Sequence, residues 1–597
     1  MRRSVAVETE AKEIDISLLK RLLKYLRPYR KYVLFAVLLT LATSALQPLR
    51  PYLTKVAVDT YIASSDWEGL IYISSIILGL LVFTAAIRYG LNYLMQWIGQ
   101  SVLYDIRIKL FEHIQSQSMS FYDNNPVGRL VTRVTNDVEV LNKMFSSGLV
   151  MIVADFLLIF WIIGFMFYTS FELALITLTI LPVLIVVSFI FRYKIRGFFR
   201  KIRLQVAKIN AFLNQFISGI STVKLFSQER NKFEEFDRIN AENKDLHLRT
   251  IFYFALLFPM IEILNAIVLA MILWYSAGNI LGGVMTVGIL IAFIQYFEMF
   301  FRPVRDLSEK YTTLQSAMAS AERIFKLLDT DEKLKDREDA VKLEKFKDKI
   351  EFRNLSFRYE PDKPVLENVS FDVKKGETVA IVGATGSGKT TLINLLCRFY
   401  DYEEGNIIID GTDIRSLTQT SIREKLALVM QDVFLFSRRV DLNISLGNDE
   451  VYDKKVIDST KAIGAYDFIN NLEKGFETKL TERGQTLSAG QRQLIAFSRA
   501  FAAHPELLIL DEASSNIDSE TEKLIERSLE KLLEGRTSII IAHRLSTIKR
   551  ADKIVVLHHG KVREIGSHNE LMKKKGIYHK LYQVQFSEQV SDNKPVI

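Results

Sequence analysis

The sequence predicts two architectures in one chain: an α-helical membrane half with six transmembrane helices and long cytoplasmic extensions, then an α/β half. Three observations carry the prediction. Six apolar stretches, each near the ~20 residues that a bilayer-spanning helix needs, fall in the first half. Lys and Arg crowd into the segments between alternate stretches. From about residue 348 the pattern changes to short strand-like runs with helical stretches between them.

Composition sets the frame. A chain of 597 residues is long enough for several domains. At 49% hydrophobic and 24% charged, it is neither disordered nor collagen-like. Its one cysteine, Cys397, excludes an internal disulfide framework and fits a reducing compartment. The net charge of +8 raises nucleic-acid binding as a reading, but the placement of the charges decides against it.

Residues 1–30 read as an amphipathic elbow. Leu18, Leu19, Leu22, Leu23 and Leu26 recur at helical spacing with Lys and Arg between them, which suits a helix lying on a membrane surface. No cleavable signal peptide is evident there. A membrane domain over 31–320 follows, with spans at about 33–53, 69–95, 146–169, 172–193, 251–276 and 285–304. The third and fourth are parted by a short polar turn and read as a helical hairpin.

Charge orients the spans. Residues 96–145 hold Arg107, Lys109, Arg129, Arg133 and Lys143, and 194–250 open with Lys194, Arg196, Arg200, Lys201 and Arg203. The turns near 56–68, 169–172 and 277–284 have none, with Lys55 bordering the first. The positive-inside rule then puts the N-terminus, both long segments and the second half in the cytoplasm. Membrane topology thus accounts for the positive charge without nucleic acid. Both long segments read as spanning helices that continue into the cytoplasm and return, with tips near 121–128 and 218–222. In the second, Ile209, Phe212, Leu213, Phe216, Ile217 and Ile220 share one face. A charged, helical linker covers 321–347, the α/β domain 348–585 and a tail 586–597.

Two motifs carry chemistry. "GATGSGKT" follows the strand-like "TVAIV" and opens a helix, the context that makes a phosphate-binding loop a strong match. Gly383, Gly386 and Gly388 let the backbone curl. The amides of Ala384, Thr385, Ser387 and their neighbours, with the helix start at Thr390 and Thr391, offer partial positive charge to an anion. Lys389 can reach β- and γ-phosphates, and Thr390 can bind Mg²⁺. The apolar run "LLILDE" ends in two carboxylates: Asp511 to hold Mg²⁺ through water, Glu512 to orient an attacking water. Alone it is a weak signal; with the loop it is a strong one.

These motifs make 348–585 resemble the nucleotide-binding domain of an ABC transporter. With the six spans, the whole chain is similar to a type IV-fold ABC exporter half-transporter. The resemblance implies further roles, each on a matching residue. Tyr359 in "FRYE" would stack on adenine; without the resemblance it reads as a core aromatic. Gln431 in "VMQDVFLFS" would contact Mg²⁺ and the nucleophilic water. His543 in "IIIAHR" would contact the γ-phosphate, and Asp518 in "SSNID" would face the partner domain, although Asn516 and Ile517 depart from the family's Ser-Ala-Leu-Asp.

"TLSAGQRQ" resembles the family signature Leu-Ser-Gly-Gly-Gln. Here it is Leu487, Ser488, Ala489, Gly490 and Gln491. In the family this segment binds the γ-phosphate of an ATP held by the other subunit. An ordinary helix cap explains Ser488 equally well. Ala489 would be strained if its position required φ > 0. An altered signature beside an intact Glu resembles heterodimeric exporters, which favours a second, unequal half-transporter as partner, with a homodimer as the alternative. "TERG" (481–484) resembles the segment that meets the membrane-domain loops, and "FYDNNPVGRL" and "SGISTVKLFSQE" resemble the two coupling regions.

The resemblance implies ATP-driven export, with ATP and Mg²⁺ as cofactors, by a multi-pass protein of the bacterial cell membrane whose ATPase domain is cytoplasmic. The substrate is hydrophobic or amphipathic, drug-like or lipid-like. Asp155, Glu262 and Glu298 fall within spans and suggest a cavity for amphipathic cations, with pairing to a neighbour such as Arg88 as the competing reading. A lipid flippase or a siderophore importer shares the architecture, and an ATP-gated channel is a more distant alternative.

Overall fold

The computed structural model describes residues 15–583, apart from 449–450, 452, 512–518 and 543–544. The chain forms two compact units. One runs to Gln115 and resumes from Val127 to Thr330; the other joins Ser116–Pro126 to the chain from Asp331 onward.

Among the described residues, the first unit is helices joined by short turns. A short helix, Ile16–Leu23, is capped by Asp15, whose carboxylate accepts from the Ser17 and Leu18 amides. Leu22 on it is fully buried. Arg21 grips Asp329 with two hydrogen bonds of 2.7 and 2.6 Å, and its guanidinium lies 4.2 Å over the Phe325 ring. This elbow is therefore fastened to the end of the last helix, while Ile16 and Leu23 stay exposed.

Long helices follow: Arg30–Leu46 with its continuation Leu49–Val56, then Trp67–Gln115, Leu149–Thr169, Phe171–Ser218, Glu229–Leu281 and Val287–Asp329. Pro48 marks the break in the first. The hairpin turn is a single residue, Ser170, whose hydroxyl caps the next helix. Trp67–Gln115 has 49 residues. Such a helix is about 70 Å long, more than twice a ~30 Å hydrocarbon core. Among the described residues, four helical runs are long and apolar enough to cross a membrane: Ile16–Ile62, Trp67–Gln115, Val127–Thr169 and Glu229–Leu281. Two shorter apolar stretches, Phe171–Ile180 and Val287–Phe300, overlap the fourth and sixth expected spans.

Ile162, Met166, Leu173, Ile272, Phe293 and Phe300 pack together at the centre of this unit. The buried Tyr296 donates its hydroxyl hydrogen to Pro48 O at 3.1 Å. The Asp59 carboxylate accepts from Thr286 Oγ1 at 2.6 Å and Gly288 N at 2.8 Å, so it caps the start of the last helix from another element.

That last helix ends at Asp329, and Thr330 is extended. The segment expected to continue as a helical linker is thus irregular up to β1. Its polar groups go elsewhere: Asp336 accepts from Arg398 at 2.8 Å and from the Gln419 amide at 3.2 Å.

The second unit holds two sheets. Strands β1 (Lys349–Glu360), β2 (Lys363–Lys374), β4 (Glu404–Ile409) and β5 (Thr412–Asp413) form an antiparallel sheet in the order β2-β1-β4-β5. Strands β3 (Thr378–Val382), β6 (Leu426–Val429), β7 (Leu507–Asp511), β8 (Thr537–Ile541), β9 (Lys553–His558) and β10 (Lys561–Gly566) form the other, in the order β10-β9-β3-β8-β7-β6. All its pairings are parallel except β9 with β10.

Side chains on alternate faces of this sheet enter separate cores. Ala380, Leu508, Ile540 and Val556 enter one; Ile381, Ile509, Ile539 and Val555 enter the other. A sheet covered on both faces needs apolar residues at every position, which is why its strands read as unbroken apolar runs.

Candidate nucleotide site

Parallel strands place their C-terminal ends at one edge, and open α/β sheets bind ligands there. Register makes the edge concrete. Ile381 of β3 pairs with Ile541 of β8, which pairs with Asp511 of β7, and Leu510 pairs with Val429 of β6. The chain leaves β3 into the glycine-rich loop, and Gln431 lies exposed just past β6.

The loop is shaped by its glycines. Gly386 has φ +80° and Gly388 φ +100°, conformations costly for any residue with a Cβ. A Cβ on Gly388 would also lie 2.6 Å from Leu366 Cδ2, and one on Gly383 would lie 2.3 Å from Leu557 O. Ala384, Thr385 and Thr390 are exposed, and Thr391 is buried at the start of the helix Lys389–Leu396.

Lys389 is only 8% exposed. Its ammonium donates to Gly383 O at 2.7 Å and Ala384 O at 3.1 Å. Burial holds its pKa below the usual lysine value, and the Asp511 charge opposes that shift. Ser387 Oγ is buried with no hydrogen-bond partner among the described residues. An unpaired buried hydroxyl, curled amides at a helix start and a half-desolvated ammonium all fit a polyphosphate.

Tyr359 closes the site from β1. It is 45% exposed, and its hydroxyl lies 3.3 Å from Thr391 Oγ1, so it stands beside the loop's helix. Its ring is edge-on to Phe357 (4.8 Å, 89°) and to Tyr400 (5.1 Å, 87°). Glu512, His543 and Asp518 lie outside the described residues.

The signature turn opens the helix Ala489–Ala502. Ser488 Oγ accepts from the Gln491 amide at 3.2 Å, and Gln491 Oε1 accepts from the Ser488 amide at 3.0 Å. This capping box satisfies two amides that a helix start otherwise leaves free. Leu487 is buried beneath it. A Cβ on Gly490 would sit 2.2 Å from Thr521 Cγ2, so a glycine is required there by packing. Ala489 is the first helical residue and is absent from the positive-φ positions, so alanine there carries no backbone strain.

Sequence reasoning missed two supports. Asn443 is fully buried; its side chain accepts from the Phe436 amide and donates to Phe436 O, Arg438 O and Arg439 O. Arg499, near the far end of the signature helix, donates to Asn443 O at 2.8 Å and to Phe434 O at 3.3 Å. Together they hold the loop that follows Gln431. Arg499 leaves no local pattern because its partners are backbone carbonyls 56 and 65 residues away; the partners of Asn443 lie four to seven residues before it, in a loop with no regular period to mark the bonds.

The proposed substrate carboxylates do not behave as a set. Asp155 forms an ion pair with Lys310, rather than with Arg88, and both side chains are mostly buried. Its charge is therefore compensated within the protein. Glu262 and Glu298 are exposed on the helices Glu229–Leu281 and Val287–Asp329.

Comparison with known proteins agrees with both halves. The profile of the ABC transporter transmembrane region matches residues 33–304, and that of the ABC transporter domain matches residues 366–515. The chain is 40% identical to an uncharacterized ABC transporter ATP-binding protein, YknV, of Bacillus subtilis, over 95% of this chain and 94% of that protein. It is 37% identical to an ATP-dependent lipid A-core flippase of Syntrophus aciditrophicus, over 96% of this chain and 95% of that protein. It is 36% identical to a putative multidrug export ATP-binding/permease protein, YgaD, of Bacillus subtilis, over 96% of this chain and all of that protein. The chain belongs to the ABC transporter family, as an integral membrane half-transporter of the exporter type whose ATPase domain is coupled to transport.

Proposed function

We propose that this chain exports a hydrophobic or amphipathic substrate, drug-like or lipid-like, across a bacterial cell membrane, driven by ATP hydrolysis. The observation that carries the reading is the phosphate loop at the sheet edge of a chain that also carries apolar helical runs of 43 to 53 residues. The names of the relatives support the substrate class, since they include lipid A-core flippase and multidrug export proteins. Six spans, with the N-terminus and ATPase domain cytoplasmic, complete the proposed topology.

In this mechanism the loop amides and Lys389 bind the phosphates, and Tyr359 holds the base. Mg²⁺, when bound, neutralises charge on the β- and γ-phosphates; Thr390, Gln431 and Asp511 are the residues that would hold it. Glu512 positions and polarises the attacking water, and His543 steadies the γ-phosphate. Such phosphoryl transfer depends mainly on positioning and electrostatics. The family resemblance assigns Asp518 to cross-talk with the second nucleotide-binding domain.

The working unit pairs this chain with a second half-transporter. The second cytoplasmic tip supports this: Ile217, Leu225 and Phe226 are all exposed there, Leu225 at 79%. Apolar side chains clustered at a tip suit burial against another chain. Ala489 in the signature favours an unequal partner that carries the standard glycine. Unstrained backbone at Ala489 means that this preference rests on sequence departure alone. Purifying the chain with and without its co-purifying half-transporter tests it: vigorous transport-coupled ATPase activity from the chain alone would overturn the unequal pair.

Transport itself is tested in proteoliposomes. ATP should drive a lipophilic cationic dye or a fluorescent phospholipid away from the ATPase side, and Lys389→Ala should stop it. Movement toward the ATPase side would favour the importer reading, and unitary ion currents the channel reading.

A further inference from the structure

The first cytoplasmic tip joins the nucleotide-binding unit. Around the helix Met119–Asn124, the Gln117 side chain accepts from the Glu332 amide at 2.9 Å, and the Ser118 amide donates to Glu332 O at 3.2 Å. Phe121 is fully buried. At the far end, Tyr400 donates its hydroxyl hydrogen to Asp123 Oδ2 at 2.7 Å. Burial and the Asp123 carboxylate together push the Tyr400 hydroxyl well above the usual tyrosine range.

Tyr400 also faces the nucleotide site. Its ring stands edge-on to Tyr359 and 6.0 Å from Phe357, so three aromatic rings form one cluster. The base of Tyr400 is anchored. Its near neighbour Arg398 is almost wholly buried at φ +52°, and it donates to Asp336 at 2.8 Å and to Leu417 O at 2.6 Å. An anchored backbone leaves the ring and hydroxyl as the parts of Tyr400 that can respond.

We propose that Asp123 and Tyr400 are a positioning pair that ties the first cytoplasmic tip to Tyr359, so that a purine base seated on Tyr359 is felt at the tip. The proposal rests on the reading of Tyr359 as the platform for the base. Edge-on ring contacts depend on orientation. A Tyr359 ring that turns to lie flat on a base alters its contact with Tyr400. Tyr400 cannot follow unless its short, charge-assisted bond to Asp123 shifts as well. The phosphates alone, gripped by the loop and Lys389, do not engage this path.

Hydrogen–deuterium exchange of residues 116–126 tests the proposal in the full-length protein in nanodiscs, together with any half-transporter that co-purifies. A non-hydrolysable ATP analogue should slow exchange at the tip, and inorganic triphosphate should not. Tyr400→Phe keeps the ring and removes only the hydroxyl. It should reduce the nucleotide-dependent protection by about fivefold or more, the scale of a modest coupling between sites, while analogue affinity stays within about twofold. Asp123→Asn should do the same, and the double variant should lose no more than either single one. Full protection in Tyr400→Phe, equal protection by triphosphate, or additive losses would each overturn the pair. Failure of the unaltered protein to bind the analogue at all would instead sink the reading of the nucleotide site.

Discussion

The phosphate loop and the signature turn both open a helix, yet they are built in opposite ways. In the loop, polar groups are held ready. Gly386 and Gly388 take left-handed backbone, Ser387 Oγ is buried without a partner among the described residues, and Lys389 is desolvated. At the signature, polar groups are satisfied. Ser488 and Gln491 cap each other, Ala489 is ordinary helix, and Ser488 and Ala489 are exposed. The contrast teaches that the loop is organised around an anion, whereas the signature folds on its own and presents a helix start outward. That division fits two ATP molecules shared between two chains.

Substitutions can break or sharpen the contrast. Lys389→Ala should have the largest effect. It removes a preorganised charge from the phosphates, and ATP hydrolysis should fall by about 10²–10³-fold in a phosphate-release assay. Gly388→Ala comes next. Its φ of +100° and the 2.6 Å approach to Leu366 Cδ2 should destabilise the domain by about 1–3 kcal/mol and weaken ATP binding, seen by thermal unfolding and nucleotide titration.

Ser488 separates capping from anion binding. Ser488→Ala loses the cap and should cost about 1 kcal/mol of stability. Ser488→Asp keeps a good cap but opposes an anion, so its stability should hold while ATPase activity collapses. Equal ATPase activity in the Asp variant and the unaltered chain would leave Ser488 a cap and nothing more.

Ala489→Gly should change least. Alanine is unstrained there, so glycine should cost stability by no more than about 1 kcal/mol, with ATPase activity within about twofold. A pH series adds a gentler probe. Burial lowers the pKa of Lys389, so its positive charge is lost at a lower pH than in an exposed lysine. ATP affinity should therefore begin to fall below the usual lysine pKa of about 10.5 as pH rises. For the same reason the unfolded chain binds more protons in that window, and this group favours folding more as pH rises through it.

Legibility tracked locality. The phosphate loop was readable because strand, glycines and helix are consecutive in sequence. Strand β6, "LALV", is too short at four residues to announce itself, and its strand character comes from pairing with β7. The linker looked helical by charge pattern, but Asp336 bonds to Arg398 and Gln419, partners more than sixty residues away. The ion pair between Asp155 and Lys310 joins residues 155 apart, so neither local stretch announces it. The tie between Asp123 and Tyr400 spans 277 residues and leaves no trace in either local motif.

Photolabelling tests the shared-site account most directly. A chain carrying Lys389→Ala would be assembled with an unaltered copy or with its co-purifying half-transporter, then exposed to an ATP analogue with a reactive group on the γ-phosphate. The account predicts label on residues 487–491 of the Lys389→Ala chain, delivered by nucleotide held on the other chain. Loss of that label, while the other chain still binds the analogue, would show that each signature serves its own phosphate loop and would contradict the account.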